Sequence, residues 1–192
     1  KQWTSERILE EHPVDVIIDF SSKKGISYYG KDAAKKGIAI VSAISEYPTE
    51  TINYIREISK QTRVIWSPNI TVGINFLMLA AKVLKNIDPD IDIEIIEEHF
   101  KDKKEVSGTA KKIARALSVH EESIRTIRAG GIVGRHEILF GFPYQTVRLM
   151  HESISREAFG KGALFAAKNI IDKEKGLYSM EDLLIPYFKA FS

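Results

Sequence analysis

Residues 14–20 read VDVIIDF, residues 38–43 IAIVSA and residues 63–67 RVIWS. Each is a β-branched apolar run of strand length, the kind buried on both faces of a parallel sheet. Between the first two runs a helical pattern reaches about Lys36, and Gly37 follows it as a C-terminal cap would. Between the second and third, residues 49–61 place Ile52, Ile55 and Ile58 on one face of an amphipathic helix. Strand, helix, strand, helix, strand predicts a parallel, doubly wound sheet with right-handed crossovers. That is half of a dinucleotide-binding fold. The usual first strand with its G-x-G-x-x-G turn is nowhere in the sequence.

Upstream, residues 5–11 read as a short helix stopped by Pro13. The chain opens on Lys1 in the middle of a helical pattern, so it is expected to lack its true beginning. Downstream of SPNITVG (67–73) the texture changes. Residues 74–85 form a helix with a wide apolar face, IDIEIIEEHF (91–100) an alternating strand, and residues 108–117 another helix. Residues 123–153 read as several strands divided by AGGIVG (129–134) and a turn near Pro143, which predicts a mixed or antiparallel second sheet. Residues 156–172 are a long helix and residues 180–184 a short last one. The expected class is α/β, with a partial Rossmann-like domain over 1–70 and 157–192 and an α+β mixed-sheet domain over 71–156.

Composition narrows the function. With 44% hydrophobic and 28% charged residues, the 192-residue chain is an ordinary globular protein and not a disordered or fibrous one. Lys+Arg number 28 against Asp+Glu 26, a net charge of +2, which gives no electrostatic case for nucleic acid or a membrane surface. The absence of cysteine excludes disulfide scaffolds, thiolate metal sites and cysteine nucleophiles. No apolar run approaches the roughly 20 residues that cross a bilayer. The N-terminal stretch is unlike a secretory signal, so a cytoplasmic protein is expected.

The strongest local signal is EEHFKDKKEVSGTAKKIA (97–114). A strand delivers His99 and Lys103 to its end, and a Ser-Gly-Thr turn opens a helix. Free N–H groups and the hydroxyls of Ser107 and Thr109 at a helix N-terminus suit a carboxylate. Lys103 adds a compact positive charge, and His99 can exchange a proton near neutral pH. The alternative is a solvated charged loop followed by a helix that Ser107 merely caps, with Lys103 paired to Glu105. Glu97, Glu98 and His99 make a poor metal site, because adjacent strand residues point to opposite faces; no metal is expected. AGGIVG resembles a phosphate loop, but no helix follows it, and a glycine-rich hairpin connection is expected. Asn69 sits where a ligand would meet the end of the third strand, or else makes an Asx-type turn. Ser155, Arg156 and Phe159 open the long helix, where Arg156 could hold an anion or simply face solvent. His12, His120 and His136 read as incidental.

Six colinear segments, VIIDFSS, SPNITVGIN, DIEIIEEHFKDKKEVSGTA, TIRAGGIVGRHEILFG, HESISREAFGKGA and GLYSMEDLL, resemble the dihydrodipicolinate reductase family from about Val14 onward. The resemblance implies an NADH- or NADPH-dependent reduction of 4-hydroxy-tetrahydrodipicolinate to tetrahydrodipicolinate, in lysine and diaminopimelate biosynthesis. It also implies a nucleotide-binding domain closed by the C-terminal helix, and a mixed-sheet domain that binds the dicarboxylate and forms a homotetramer. By position, His99 takes the part of the proton donor and Lys103 that of a substrate-carboxylate lysine. Ser107, Gly108 and Thr109 grip the other carboxylate. Ser42, Ser45, Ser67, Asn69, Arg156 and Phe159 fall at or near the cofactor. The family's GxxGxMG is absent, its GTTG appears as Ser42-Ala43-Ile44-Ser45, and its HHxxKxDAPSGT becomes HFKDKKEVSGT, with Phe100 in place of a second histidine. A non-catalytic or substrate-shifted homologue that keeps the oligomeric scaffold is the alternative. The strands IDIEII, EILFGF and TVRLM also predict more apolar sheet surface than one helix pair covers, hence an interface.

Overall fold

A computed structural model describes residues 3–189. The chain forms two compact units, one running to Val72 and resuming at Phe159, the other Gly73–Ala158.

In the first unit, helices α1 (Ser5–Glu11), α2 (Gly25–Lys35) and α3 (Thr49–Ser59) alternate with strands β1 (Val16–Asp19), β2 (Ala39–Ser42) and β3 (Arg63–Trp66). All pairings are parallel, Ile17 opposite Ile40 and Ile40 opposite Val64. Alternate residues of β2 feed two cores. Ile40 joins Ile26, Ala33, Ile55 and Ile58 on one face of the sheet. Ala39 and Val41 pack on the other with Ala163, Ala166, Ile170 and Met180, from the helices after Phe159. Hence β2 is fully buried. By contrast β1, read as buried on both faces, lies at the sheet edge with Ile18 38% exposed, because the two helical layers centre on β2 and β3. Gly37 ends α2 at φ +69°, a left-handed conformation that favours glycine, and lets Ile38 N donate to Ala33 O at 2.9 Å.

A fourth parallel strand, three residues of Gly176–Tyr178, adds beside β3 and is too short to carry a periodic signal. The last helix runs Met180–Lys189, past the expected end at residue 184, with Pro186 inside it.

The second unit holds α4 (Val72–Ile87, whose first residue belongs to the other unit), β4 (Asp92–His99), α5 (Gly108–Ala116), a 3-10 turn, β5 (Ile124–Arg128), β6 (Arg135–Phe142) and β7 (Gln145–Glu152). The sheet order is β5-β4-β6-β7, with β4 parallel to β5 and antiparallel to β6. AGGIVG is therefore not a hairpin connection. Its flanking strands lie on opposite sides of β4, and the loop passes over the end of that strand. The inner sheet face, with Ile95, Ile138, Phe140, Val147 and Leu149, packs under α4 and α5. The outer face carries Arg135 paired to Glu98 at 2.7 Å and to Glu137 at 2.9 Å, and Arg148 paired to Glu137. Ile96 and Leu139 share this outer face with the ion pairs, so it mixes apolar and charged side chains. Exposed Ile127 and Met150 border the charged network.

Candidate active site

Alternation along β4 sends Ile95, Glu97 and His99 to the helix-covered face and Ile96 and Glu98 to the other. Glu97 has no exposed surface and His99 only 9%. A buried carboxylate is costly unless fully hydrogen-bonded, and Glu97 is. One oxygen accepts from Arg128 Nη2 at 2.6 Å and from Ser107 N at 3.3 Å; the other meets His99 Nδ1. Burial alone would raise this carboxyl, but the hydrogen bonds from Arg128 and His99 outweigh it and hold it below the ordinary carboxylate value.

Arg128 also ties down the loop after β4. Its Nε donates to Lys103 O at 2.8 Å and its Nη2 to Glu105 O at 3.0 Å. The half-buried Lys103 side chain makes no ion pair among the described residues, so the Glu105 pairing is not formed. Phe100, beside His99, is 45% exposed.

Ser107 caps α5, its Oγ accepting from Ala110 N at 2.9 Å. The same oxygen lies 2.8 Å from His136 Nε2. His136 is thus no bystander. It is buried at 5% exposure, edge-on to His99 with ring centroids 5.3 Å apart, and its Nδ1 has no partner among the described residues. Burial first, and the neighbouring His99 second, push its imidazolium down to about 4. Opposite it on β7, burial also lowers His151, whose ring packs against Gly73. In front of the first turn of α5 a Cβ on Gly108 would meet nothing within 4 Å, and Thr109 is half-buried beside it. A Cβ on Gly134 would stand 3.1 Å from His99 Nε2, so the bare glycine keeps that nitrogen clear.

The structure thus brings His99, Lys103, Ser107, Gly108 and Thr109 around one strand end and helix N-terminus. Glu97, Arg128, Gly134 and His136 complete the cluster; the sequence reading weighed Glu97 only as a poor metal ligand, His136 as incidental and Gly134 as part of a hairpin, and passed over Arg128. Glu97 was accessible to it, since an acid two positions before a histidine on one strand shares its face. Arg128 and His136 come from β5 and β6, and only the strand register reveals them. Arg156 is exposed and stands outside this network. Among the described residues no group of three metal-ligating side chains converges, and no helix is long and apolar enough to cross a membrane.

In the first unit, Ser42, Ser67 and Asn69 lie at the carboxyl ends of β2 and β3, the edge where open α/β sheets bind nucleotides. The Ser42 hydroxyl is fully buried, 2.7 Å from Tyr47 Oη, and Ser67 Oγ donates to Asn69 O at 2.7 Å. Ser45 is exposed and Asn69 half-exposed, whereas Phe159 is 38% exposed on α6 (Glu157–Ile170). The glycine-rich phosphate turn is not among these residues.

The chain thus combines a Rossmann-like parallel sheet with a mixed sheet that carries a buried Glu–His cluster. Residues 3–70 match the family model for the dihydrodipicolinate reductase N-terminus, and residues 70–184 that for its C-terminus. The 4-hydroxy-tetrahydrodipicolinate reductase of Caldanaerobacter subterraneus subsp. tengcongensis is 36% identical over 192 residues, 88% of this chain and 76% of that protein. Its counterpart from Thermosipho africanus is 34% identical over 181 residues, 93% and 82% of the two chains. A dipicolinate-bound dihydrodipicolinate reductase from Paenisporosarcina sp. TG-14 superposes with a TM-score of 0.80 at 22% identity, covering 92% of this chain and 76% of that one, a likeness of fold. The chain belongs to the dihydrodipicolinate reductase family, whose members are NAD(P)H-dependent oxidoreductases.

Proposed function

We propose that this protein reduces 4-hydroxy-tetrahydrodipicolinate to tetrahydrodipicolinate with NADH or NADPH, a step of lysine and diaminopimelate biosynthesis in the cytoplasm. The observation that carries this is the Glu97–His99 pair set beside the N-terminus of α5, with the Lys103 ammonium unpaired among the described residues. Two carboxylates on a small ring call for two cationic or N–H-rich holds. Lys103 supplies one, and the helix N-terminus at Gly108 and Thr109 supplies the other. Ser107 reaches the substrate through α5, which it caps, since its hydroxyl is already engaged with Ala110 and His136. His99 delivers the proton. The nicotinamide, when bound, supplies a hydride; Ser45 and Asn69 hold its end of the cofactor, with Ser42 and Ser67 shaping the loops beneath and Arg156 and Phe159 at the rim.

Assembly into a homotetramer belongs to the same reading. The unpaired outer face of the mixed sheet, with its Arg135–Glu137–Arg148 network and bordering Ile127 and Met150, is the surface offered. Light scattering at micromolar concentration tests it, and a monomer refutes it.

The activity is tested by mixing full-length protein with the product of dihydrodipicolinate synthase and following nicotinamide absorbance. Oxidation of NADH or NADPH supports the assignment. No turnover with either, alongside retained calorimetric binding of dipicolinate, supports a non-catalytic homologue instead.

A further inference from the structure

We propose that Glu97 is the positioning residue of this site, fixing the tautomer of His99 so that Nε2 alone exchanges the proton. The inference rests on the reading of His99 as the acid. Glu97 is ionised and fully buried, and one of its oxygens faces His99 Nδ1. An ionised carboxylate can only accept, so Nδ1 carries a hydrogen in both the neutral and the charged ring. The exchangeable proton is then confined to Nε2, the nitrogen in front of which Gly134 carries no side chain.

The second Glu97 oxygen does separate work. It receives Arg128 Nη2 and Ser107 N, and Arg128 in turn holds the carbonyls of Lys103 and Glu105. One buried side chain therefore sets the ring that gives the proton, the start of α5 and, through Arg128, the loop that carries Lys103. Removal of its charge has a specific consequence. In Glu97→Gln the amide must place its carbonyl toward two donors, Arg128 and Ser107 N, and its NH2 toward His99. That NH2 donates, so His99 Nδ1 must accept and the hydrogen moves to Nε2. The neutral ring is inverted.

The test is 15N NMR of the histidine rings in full-length protein, with steady-state kinetics of the same samples. In the parent, neutral His99 should appear as the Nδ1–H tautomer, and in Glu97→Gln as the Nε2–H tautomer. In the same variant kcat should fall about 30-fold, while KM stays within about threefold. A merely structural role moves neither the tautomer nor the split between kcat and KM. A parent spectrum showing Nε2–H overturns the proposal without any variant, and so does a Glu97→Gln protein that keeps Nδ1–H with kcat within a few-fold of the parent. A parent without reductase turnover defeats the proposed function instead, and the tautomer still decides the part played by Glu97.

Discussion

The end of β4 and the ends of β2 and β3 both bury polar side chains, yet they treat them differently. At β2 and β3 the groups are neutral and engage one another: Ser42 with Tyr47, Ser67 with Asn69 O, and Trp66 Nε1 with Ile44 O at 2.9 Å. Such contacts fix loop shape, each worth about 1 kcal/mol net. At β4 the groups are ionisable and only partly matched. Glu97 is oversupplied with donors, whereas Lys103 makes no ion pair among the described residues and His136 Nδ1 faces no partner. Matched neutral groups build a wall, whereas Lys103 and His136 keep bonding capacity that the described residues do not use.

The sharpest way to break this contrast is at His99. His99→Gln should lower kcat roughly 1000-fold, the contribution of a positioned general acid, with KM less affected. Lys103→Ala should cost about 100-fold in kcat/KM, as loss of a charge-assisted hold on a carboxylate does. Its melting temperature should stay near that of the parent, because no ion pair is lost; activity within a few-fold of the parent would place the carboxylate hold elsewhere.

His136 sharpens the contrast through pH. Its imidazolium forms at about 4 in the folded protein against 6.5 ordinarily. Below pH 6.5 the unfolded chain gains a proton that the folded one refuses, so this group's contribution to stability is lost as pH falls toward 4, amounting to about 3 kcal/mol. Denaturant titrations at several pH values should show that slope in the parent and a shallower one in His136→Asn. The smallest effect belongs to the neutral wall. Tyr47→Phe should cost about 1 kcal/mol of stability, read from the denaturation midpoint.

Much of the architecture was legible because it is local. Ser5–Glu11 forms the helix its pattern predicted, the three runs 14–20, 38–43 and 63–67 each form a parallel strand, and Gly37 takes the left-handed cap. Errors cluster where pairing, and not pattern, decides. AGGIVG has the composition of a hairpin turn, and nothing within it says that β5 and β6 would both choose β4. His136 reads as an unremarkable strand residue until β6 is set in register, where Glu97 falls opposite it. The residues of the proposed site, His99, Lys103 and Ser107, were visible because they lie within one short stretch. Those that hold them, Arg128, Gly134 and His136, are some 20 to 40 positions away in sequence, and contact of that range leaves no periodic trace.

The placement of β4 between strands that follow it in the chain separates local pairing from distant pairing. The β6–β7 pair closes on a two-residue turn at Pro143 and Tyr144 and needs no other strand, so it can form on the microsecond scale of an isolated hairpin. β4 must instead meet one neighbour about 30 residues downstream and another about 40, and those pairings carry a larger loop-closure cost than the hairpin does. Of the bonds that Glu97 makes, those to the His99 ring and to Ser107 N are local, and only the one to the Arg128 guanidinium needs β4 and β5 to be paired. The one contact that joins the Glu97–His99 strand to the loop of Lys103 is therefore also, of these, the one that spans the greatest stretch of chain.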